Sequence, residues 1–229
     1  KFRPIQRCIG EYKFDSKDIT AIEVEEICVG NSKMSYEDYL EARKLYIIVG
    51  IFYNDRIFGE IHALLRLLNL STWEWIETIH NNQSKFLPSI KKVFDDFVSD
   101  TKAELWDTPD ELIRDVSKNV SKYHNGELGG NLIYKYRSKA IVQHFSDLHY
   151  IAFDNLRNYL KNKNIEVENL INQLEEFSKF QKGDIFDTNI DVVKSYDYDL
   201  IKMIKNAAEM REANNIDAIK YPVTVNIKH

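Results

Sequence analysis

Apolar residues recur along most of this chain at the spacing of an amphipathic helix. Within 83–104, Ile90, Val93, Phe94, Phe97 and Val98 fall three or four apart and form one buried face, with Pro88 near the start. The same period predicts a long helix over about 135–162, and another over 165–180 that stops at Gly183. Shorter helical patterns lie in "EIHALLRLLNL", ending near Asn69, in "WEWIETIH", and in "YDLIKMIKNAAEMREAN". Several starts are marked by capping chemistry. Ser35 precedes Glu37 and Asp38; Ser71 or Thr72 precedes Glu74; Thr108-Pro109-Asp110-Glu111 combines an N-cap, a proline at the first helical position and two acids.

Strand periodicity is confined to two segments. In 21–29, Ile22 and Val24 alternate with Glu23 and Glu25, and the phase then slips at Glu26–Ile27 as a bulge would make it. In 221–227, Val223, Val225 and Ile227 share one face, Thr224 and Asn226 the other, and Pro222 stands where a strand begins. A lone strand leaves its backbone groups unpaired, so the simplest arrangement pairs 21–29 with 221–227. Residues 1–20 show no sustained period and read as loop. The predicted fold is mainly α: a multi-helix bundle with a small two-stranded sheet near the two chain ends. Residues 1–34 form an N-terminal loop and strand, and residues 35–229 a helical domain ending in a short strand, a single domain overall.

One helix departs from the amphipathic rule. From Ser35 it is polar for two turns, and then Leu45–Tyr53 are apolar, aromatic or Gly without a break. A helix apolar on every side must be covered on every side, so 45–53 is expected to be almost completely buried.

Composition narrows the classes. A hydrophobic content of 44% with 29% charged residues belongs to a folded domain rather than a disordered chain. A net charge of −5, with no Lys/Arg cluster, argues against a nucleic-acid-coating protein. The nine-residue apolar run is too short for a membrane span, which takes about 20 residues. Cys8 and Cys28 stand 20 residues apart with no CxxC, CxxxCxxC or Cys/His quartet. That pattern excludes an iron–sulfur cluster or structural zinc made by this chain alone, and fits a reduced pair in a cytoplasmic protein.

Three local constellations deserve weighing as chemistry. Glu77-x-x-His80 is one half of a carboxylate di-iron motif whose second half is missing, because Ile141 and Ser146 stand where His144 and His149 would need a Glu. His144, Asp147 and His149 lie close on the long predicted helix. His144 and Asp147 are neighbours at i,i+3, but His149 faces elsewhere, which is poor ligand geometry beside a plain reading as helix-surface residues with one buried histidine. Gly126-Glu127-Leu128-Gly129-Gly130 precedes a helix, yet it lacks GxGxxG spacing and a Lys-Ser/Thr, so an inter-helix turn needing positive φ is the better reading. Trp73, Trp75 and Trp106 read as core and rim. No residue is assigned as catalytic, cofactor-binding or metal-ligating.

The stretch "VEEICVGNSKMSYEDYLEARKLYIIVGIFYN" resembles the segment that follows the catalytic barrel in cobalamin (B12)-binding radical S-adenosylmethionine proteins. The matching residues are Glu26, Ile27 and Val29 in a strand, then Met34, Ser35, Glu37, Asp38, Tyr39 in a Trp position, and Arg43. Lys33 replaces the usual Thr. The similarity covers about 30 residues, and the family's cobalamin domain and cluster-bearing barrel are absent, so no catalytic or cofactor residue carries over to this chain. The resemblance implies a non-catalytic C-terminal helical domain of a cobalamin-dependent radical S-adenosylmethionine enzyme, capping the barrel or shaping substrate access. Its partners would be the missing N-terminal domains of the same polypeptide, with [4Fe-4S], S-adenosylmethionine and cobalamin implied for the parent protein. Neither nucleic acid nor membrane is expected as a partner. Two alternatives stand beside it: a free-standing helical protein-interaction module, and a metal-dependent enzyme using Glu77/His80 or the His144 cluster.

Overall fold

The computed structural model describes residues 1–182, 191–209 and 215–228. Among them the fold is mainly α, with nine α-helices and two small two-stranded antiparallel sheets. In chain order these are β1 (Phe2–Phe14), β2 (Lys17–Cys28), α1 (Tyr36–Phe52), α2 (Gly59–Leu67), α3 (Thr72–Asn81), α4 (Pro88–Ala103), α5 (Pro109–Lys118), α6 (Val120–His124), α7 (Leu132–Asn162), α8 (Glu168–Gln181), β3 (Asp191–Tyr196), α9 (Leu200–Ala208) and β4 (Val223–Lys228). The predicted helix stop at Gly183, and residues 210–214 of the predicted last helix, lie outside the described residues.

The chain divides into two compact units. Unit one comprises Lys1–Ile47 and Lys92–Ser138, and unit two comprises Ile48–Lys91 and Lys139–His229. The unit boundaries fall inside α1, α4 and α7.

Unit one carries a long hairpin where the sequence reads as loop. β1 pairs with β2 from Phe2↔Cys28 to Phe14↔Lys17, closed by Asp15-Ser16, both at positive φ (48° and 64°). Two left-handed central residues make this a type I′ turn, whose twist matches that of the flanking strands. The irregularity in pairing sits between Gln6 and Cys8, on the strand facing 21–29, while β2 itself runs unbroken. Pro4 is tolerated because each strand of a two-stranded ribbon has one unpaired edge. Behind the hairpin, Val29, Leu40, Phe94, Phe97, Leu112 and Val116 are buried. Ser35 caps α1 by accepting from the Asp38 backbone N–H (3.1 Å), while the Ser35 N–H donates to the Asp38 carboxylate (2.8 Å). Arg43, one turn on, pairs with Glu104 (3.4 Å) and lies over the Phe97 ring.

Unit two holds the larger core. The greasy end of α1 enters it: Ile48, Ile51 and Phe52 are fully buried. Phe52 stacks on Phe58 (5.4 Å) and meets the edge of Trp75 (6.2 Å), whose indole N–H donates to the Ala152 carbonyl (3.4 Å). Complete burial of 45–53 does not hold. Tyr46 and Tyr53 are 56% and 53% exposed, and their seven-residue separation puts both on one helical stripe. Ser71 and Thr108 cap α3 and α5 by accepting backbone N–H groups at 3.3 Å.

The predicted strand at 221–227 exists, with Val223 and Val225 half-buried and Thr224 and Asn226 exposed. Its partner is β3, in register from Asp191↔Lys228 to Tyr196↔Val223, and not 21–29, which pairs along one edge with β1. Each terminal strand finds its mate within its own unit.

Two outcomes test these strands. Ser16→Gly removes the cost of a β-carbon in the left-handed region and is expected to stabilise the protein by about 1 kcal/mol in chemical unfolding; a loss of stability would contradict the I′ turn. Deleting everything after Lys220 strips β3 of its partner and should lower the melting temperature, whereas an unchanged value would contradict the β3–β4 pairing.

Candidate functional site

Unit two buries four polar side chains against one another. Glu60, in the first turn of α2, is 3% exposed; His149 on α7 is 1% and Ser178 on α8 is 0%. Lys182 closes the group from the end of α8, its side chain 13% exposed. Ser178 is the hub. Its hydroxyl donates to Glu60 Oε1 (2.7 Å) and accepts from Lys182 Nζ (2.7 Å), and His149 Nε2 lies 2.9 Å away. Lys182 also donates to Glu60 Oε1 and sits over the Phe58 ring at 5.5 Å.

These contacts fix the protons. An ammonium only donates and a carboxylate only accepts, so the single Ser178 proton goes to Glu60 and both its lone pairs receive N–H groups. His149 is therefore the Nε2–H tautomer, donating to Ser178. A histidine in that state does not draw a proton from serine, so the group is no nucleophile–base pair despite its composition. Burial pushes the His149 pKa down to about 3, and the positive charges of Lys182 and Lys179 add to that effect. Burial likewise lowers the Lys182 pKa, against the opposing pull of Glu60.

The Glu60–Lys182 pair forms part of the wall of a cleft of about 870 Å³ within unit two. Arg56, His62 and Arg66 also line it, together with Tyr53, Ala63, Leu70 and Ile204. His62 bonds the Phe52 carbonyl through Nε2 (3.1 Å), and burial holds its pKa below the usual histidine value, so it is neutral. Three lining residues hold left-handed backbone: Asp55 (φ 56°), Arg56 (φ 54°) and Asn69 (φ 54°). Asp and Asn tolerate that region; Arg does so only at a cost of about 1–2 kcal/mol.

The residues singled out in the sequence lie elsewhere or play other parts. Glu77 is exposed on α3, and His80 at its end contacts the Gln83 amide nitrogen through Nδ1 (2.9 Å). His144 sits at a break in α7 (φ −138°, ψ 32°), which disrupts the ideal i,i+3 relation with Asp147. Asp147 accepts from the Ser89 hydroxyl, and His149 belongs to the buried group. No three His, Cys, Asp or Glu side chains among the described residues converge as metal ligands would. In the 124–131 loop Gly126 and Gly129 take positive φ (78° and 69°), as the turn reading requires, and a β-carbon on Gly129 would meet Gln6 and the Tyr123 ring. Trp75 is core, Trp106 half-buried and Trp73 exposed.

Cys8 and Cys28 are both free and exposed. In the hairpin register Cys8 faces Glu23, five positions along β2 from Cys28, which separates them by roughly 16 Å. They share neither a disulfide nor a metal. Sequence reasoning missed Glu60, Ser178 and Lys182: Glu60 reads as an ordinary first-turn acid, Lys182 as an ordinary last-turn cation, and Ser178 as one more polar residue of α8.

No protein-family model, curated protein or solved structure matches this chain.

The neutral state of His149 produces a specific pH dependence. The folded protein resists protonation down to about pH 3, whereas the unfolded chain takes up a proton at its ordinary value of 6.5. The burial of neutral His149 therefore costs nothing above pH 6.5, and stability falls as pH drops below it. Between pH 6.5 and about pH 5 the expected loss is about 2 kcal/mol. Urea unfolding of the native chain and of His149→Gln at both pH values checks this: the variant should lose less, and equal losses would contradict it.

Proposed function

We propose that this chain serves as a non-catalytic helical C-terminal domain of a cobalamin-dependent radical S-adenosylmethionine enzyme, capping the catalytic barrel or shaping substrate access. The observation that carries the reading is the strand–turn–helix stretch from Glu26 to Arg43 and its likeness to the segment after the barrel in that family. Its residues have structural work that explains such a pattern without any catalytic role. Val29 is buried, Ser35 and Asp38 cap each other's backbone N–H groups, and Arg43 pairs with Glu104. Asn31 closes the turn by accepting from the backbone N–H groups of Lys33 (2.8 Å) and Met34 (3.0 Å). The donor set of this chain, two cysteines roughly 16 Å apart, does not fit a [4Fe-4S] cluster. On this reading the cluster, S-adenosylmethionine and cobalamin would be held by preceding domains, and no chemical step is assigned to residues here.

A second reading, a helical protein-interaction module, is favoured by one observation. The outer part of the hairpin is exposed, including Tyr12 (61%), Phe14 (71%) and Ile19 (45%). A two-stranded ribbon is marginal by itself, and a docked partner would stabilise it.

The reading frame upstream of Lys1 separates the two. On the first reading it encodes a CxxxCxxC motif, and the full-length protein without residues 35–229 still reduces and cleaves S-adenosylmethionine but loses substrate turnover. A frame that opens close to Lys1 with no such motif would overturn it.

A further inference from the structure

Asn125-Gly126 is the one Asn-Gly step in the sequence. Glycine after asparagine leaves the side-chain amide open to attack by the following backbone nitrogen, because no β-carbon shields that nitrogen or stiffens its peptide. The fold puts this step where attack is least hindered. Both residues are exposed, in the turn between α6 and α7. Gly126 holds positive φ (78°), and nothing lies within 4 Å of where its β-carbon would be.

The restraints on the step are few and local, and every residue of unit one is described. The Gly126 N–H, which must give up its proton to attack, reaches the Tyr123 carbonyl only at 3.4 Å. That is beyond the usual hydrogen-bond range. Asn125 sits at φ −83°, ψ 1°. At that ψ the Gly126 nitrogen is turned away from the side-chain carbon, so the peptide must rotate before a ring can close. Among the described residues, only Glu127 bonds the Asn125 side chain. Its N–H donates to Asn125 Oδ1 (3.1 Å), and its Oε1 accepts from Asn125 Nδ2 (2.7 Å). The first contact polarises the amide carbonyl toward attack. The second is the tie that ring closure must break.

We propose that Asn125 is a site of self-modification, where the chain cyclises and deamidates and the product opens the 124–131 loop. The Gly126 nitrogen bonds to the Asn125 side-chain carbon, its proton passes to water, and the side-chain nitrogen takes up a proton and leaves as ammonia. Water then adds across either C–N bond of the imide. One opening gives aspartate; the other gives isoaspartate, with the backbone routed through the former side chain. The chemistry consumes only water, so it proceeds whichever reading of the chain's function holds. Aspartate puts a carboxylate where Nδ2 met Glu127, and two carboxylates have no proton to share. Isoaspartate lengthens the backbone by a methylene. Either way the loop loses the tie beside Gly129, whose close approach to Gln6 of β1 leaves no room for a β-carbon.

Incubation of the full chain in mildly alkaline buffer, followed by peptide mapping with mass spectrometry and isoaspartate detection, tests the cyclisation. Asn125 should convert faster than the other asparagines and yield both products. Because opening an exposed loop costs little, its rate should be no less than about a tenth of that in the urea-unfolded chain. Gly126→Ala should slow conversion at least about tenfold. Asn125→Asp, which carries one product from the start, tests the opening. In that variant, hydrogen exchange should quicken several-fold at the Leu128 N–H, which donates to the Lys122 carbonyl at 3.0 Å. Asn125 intact when the unfolded chain has fully converted, aspartate as the sole product, or an unchanged rate in Gly126→Ala would each overturn the cyclisation. Unchanged exchange at Leu128 in Asn125→Asp would overturn the opening of the loop.

Discussion

Apart from the exposed stripe that carries Tyr46, the second half of α1 is an apolar surface with no stable place in water, and its burial is the constraint on which unit two depends. Ile48, Ile51 and Phe52 together remove several hundred Å² of apolar surface from solvent, worth on the order of 2 kcal/mol per side chain. The covering residues come from the segment just after the helix and from α3 and α7. Phe58 and Trp75 lie directly on Phe52, and Phe145 stacks on Phe58 at 5.9 Å. Through Phe58 this aromatic cluster reaches His149 and Lys182, so the buried polar group rests on the same packing.

That neighbourhood gives the polar group its properties. Lys182 and Glu60 are held charged in an apolar setting by each other and by the Ser178 hydroxyl, which uses its one proton and both lone pairs. His149 faces the aromatic rings of Phe145 and Phe153, and the adjacent ammonium makes a second positive charge costly. A serine, histidine, glutamate and lysine within hydrogen-bonding distance would suggest nucleophilic catalysis from composition alone. The direction of each proton rules that out and leaves a rigid polar wall beside a cleft.

Unit one is built on different terms. Its hairpin gains little from burial beyond the first few residue pairs, because residues 11–20 are exposed. What holds it is the backbone ladder and a turn of matching twist. Asp15-Ser16 lacks the Asn-Gly or Asp-Gly signature of such turns, and β1 contains a bulge and a proline that break its alternation. Those features hid the strand from a reading based on period two.

Sequence alone determined what depends on residues within about one helical turn. The caps at Ser35, Ser71 and Thr108, most helical spans, the positive-φ glycines of the 124–131 loop, and the facing of Val223 and Val225 were all legible because neighbours in the chain set them. The tertiary structure decided which strands pair, since a strand's open edge accepts any partner whose register fits, and here β1 and β3 lay nearer to hand than the opposite chain end. It also decided which charges are buried. Nothing near Glu60 or Lys182 in sequence distinguishes them from solvent-facing helix-end residues. They become a site because packing on α1 brings the start of α2 and the end of α8 together, and burial there strengthens the electrostatic contact that water would otherwise screen.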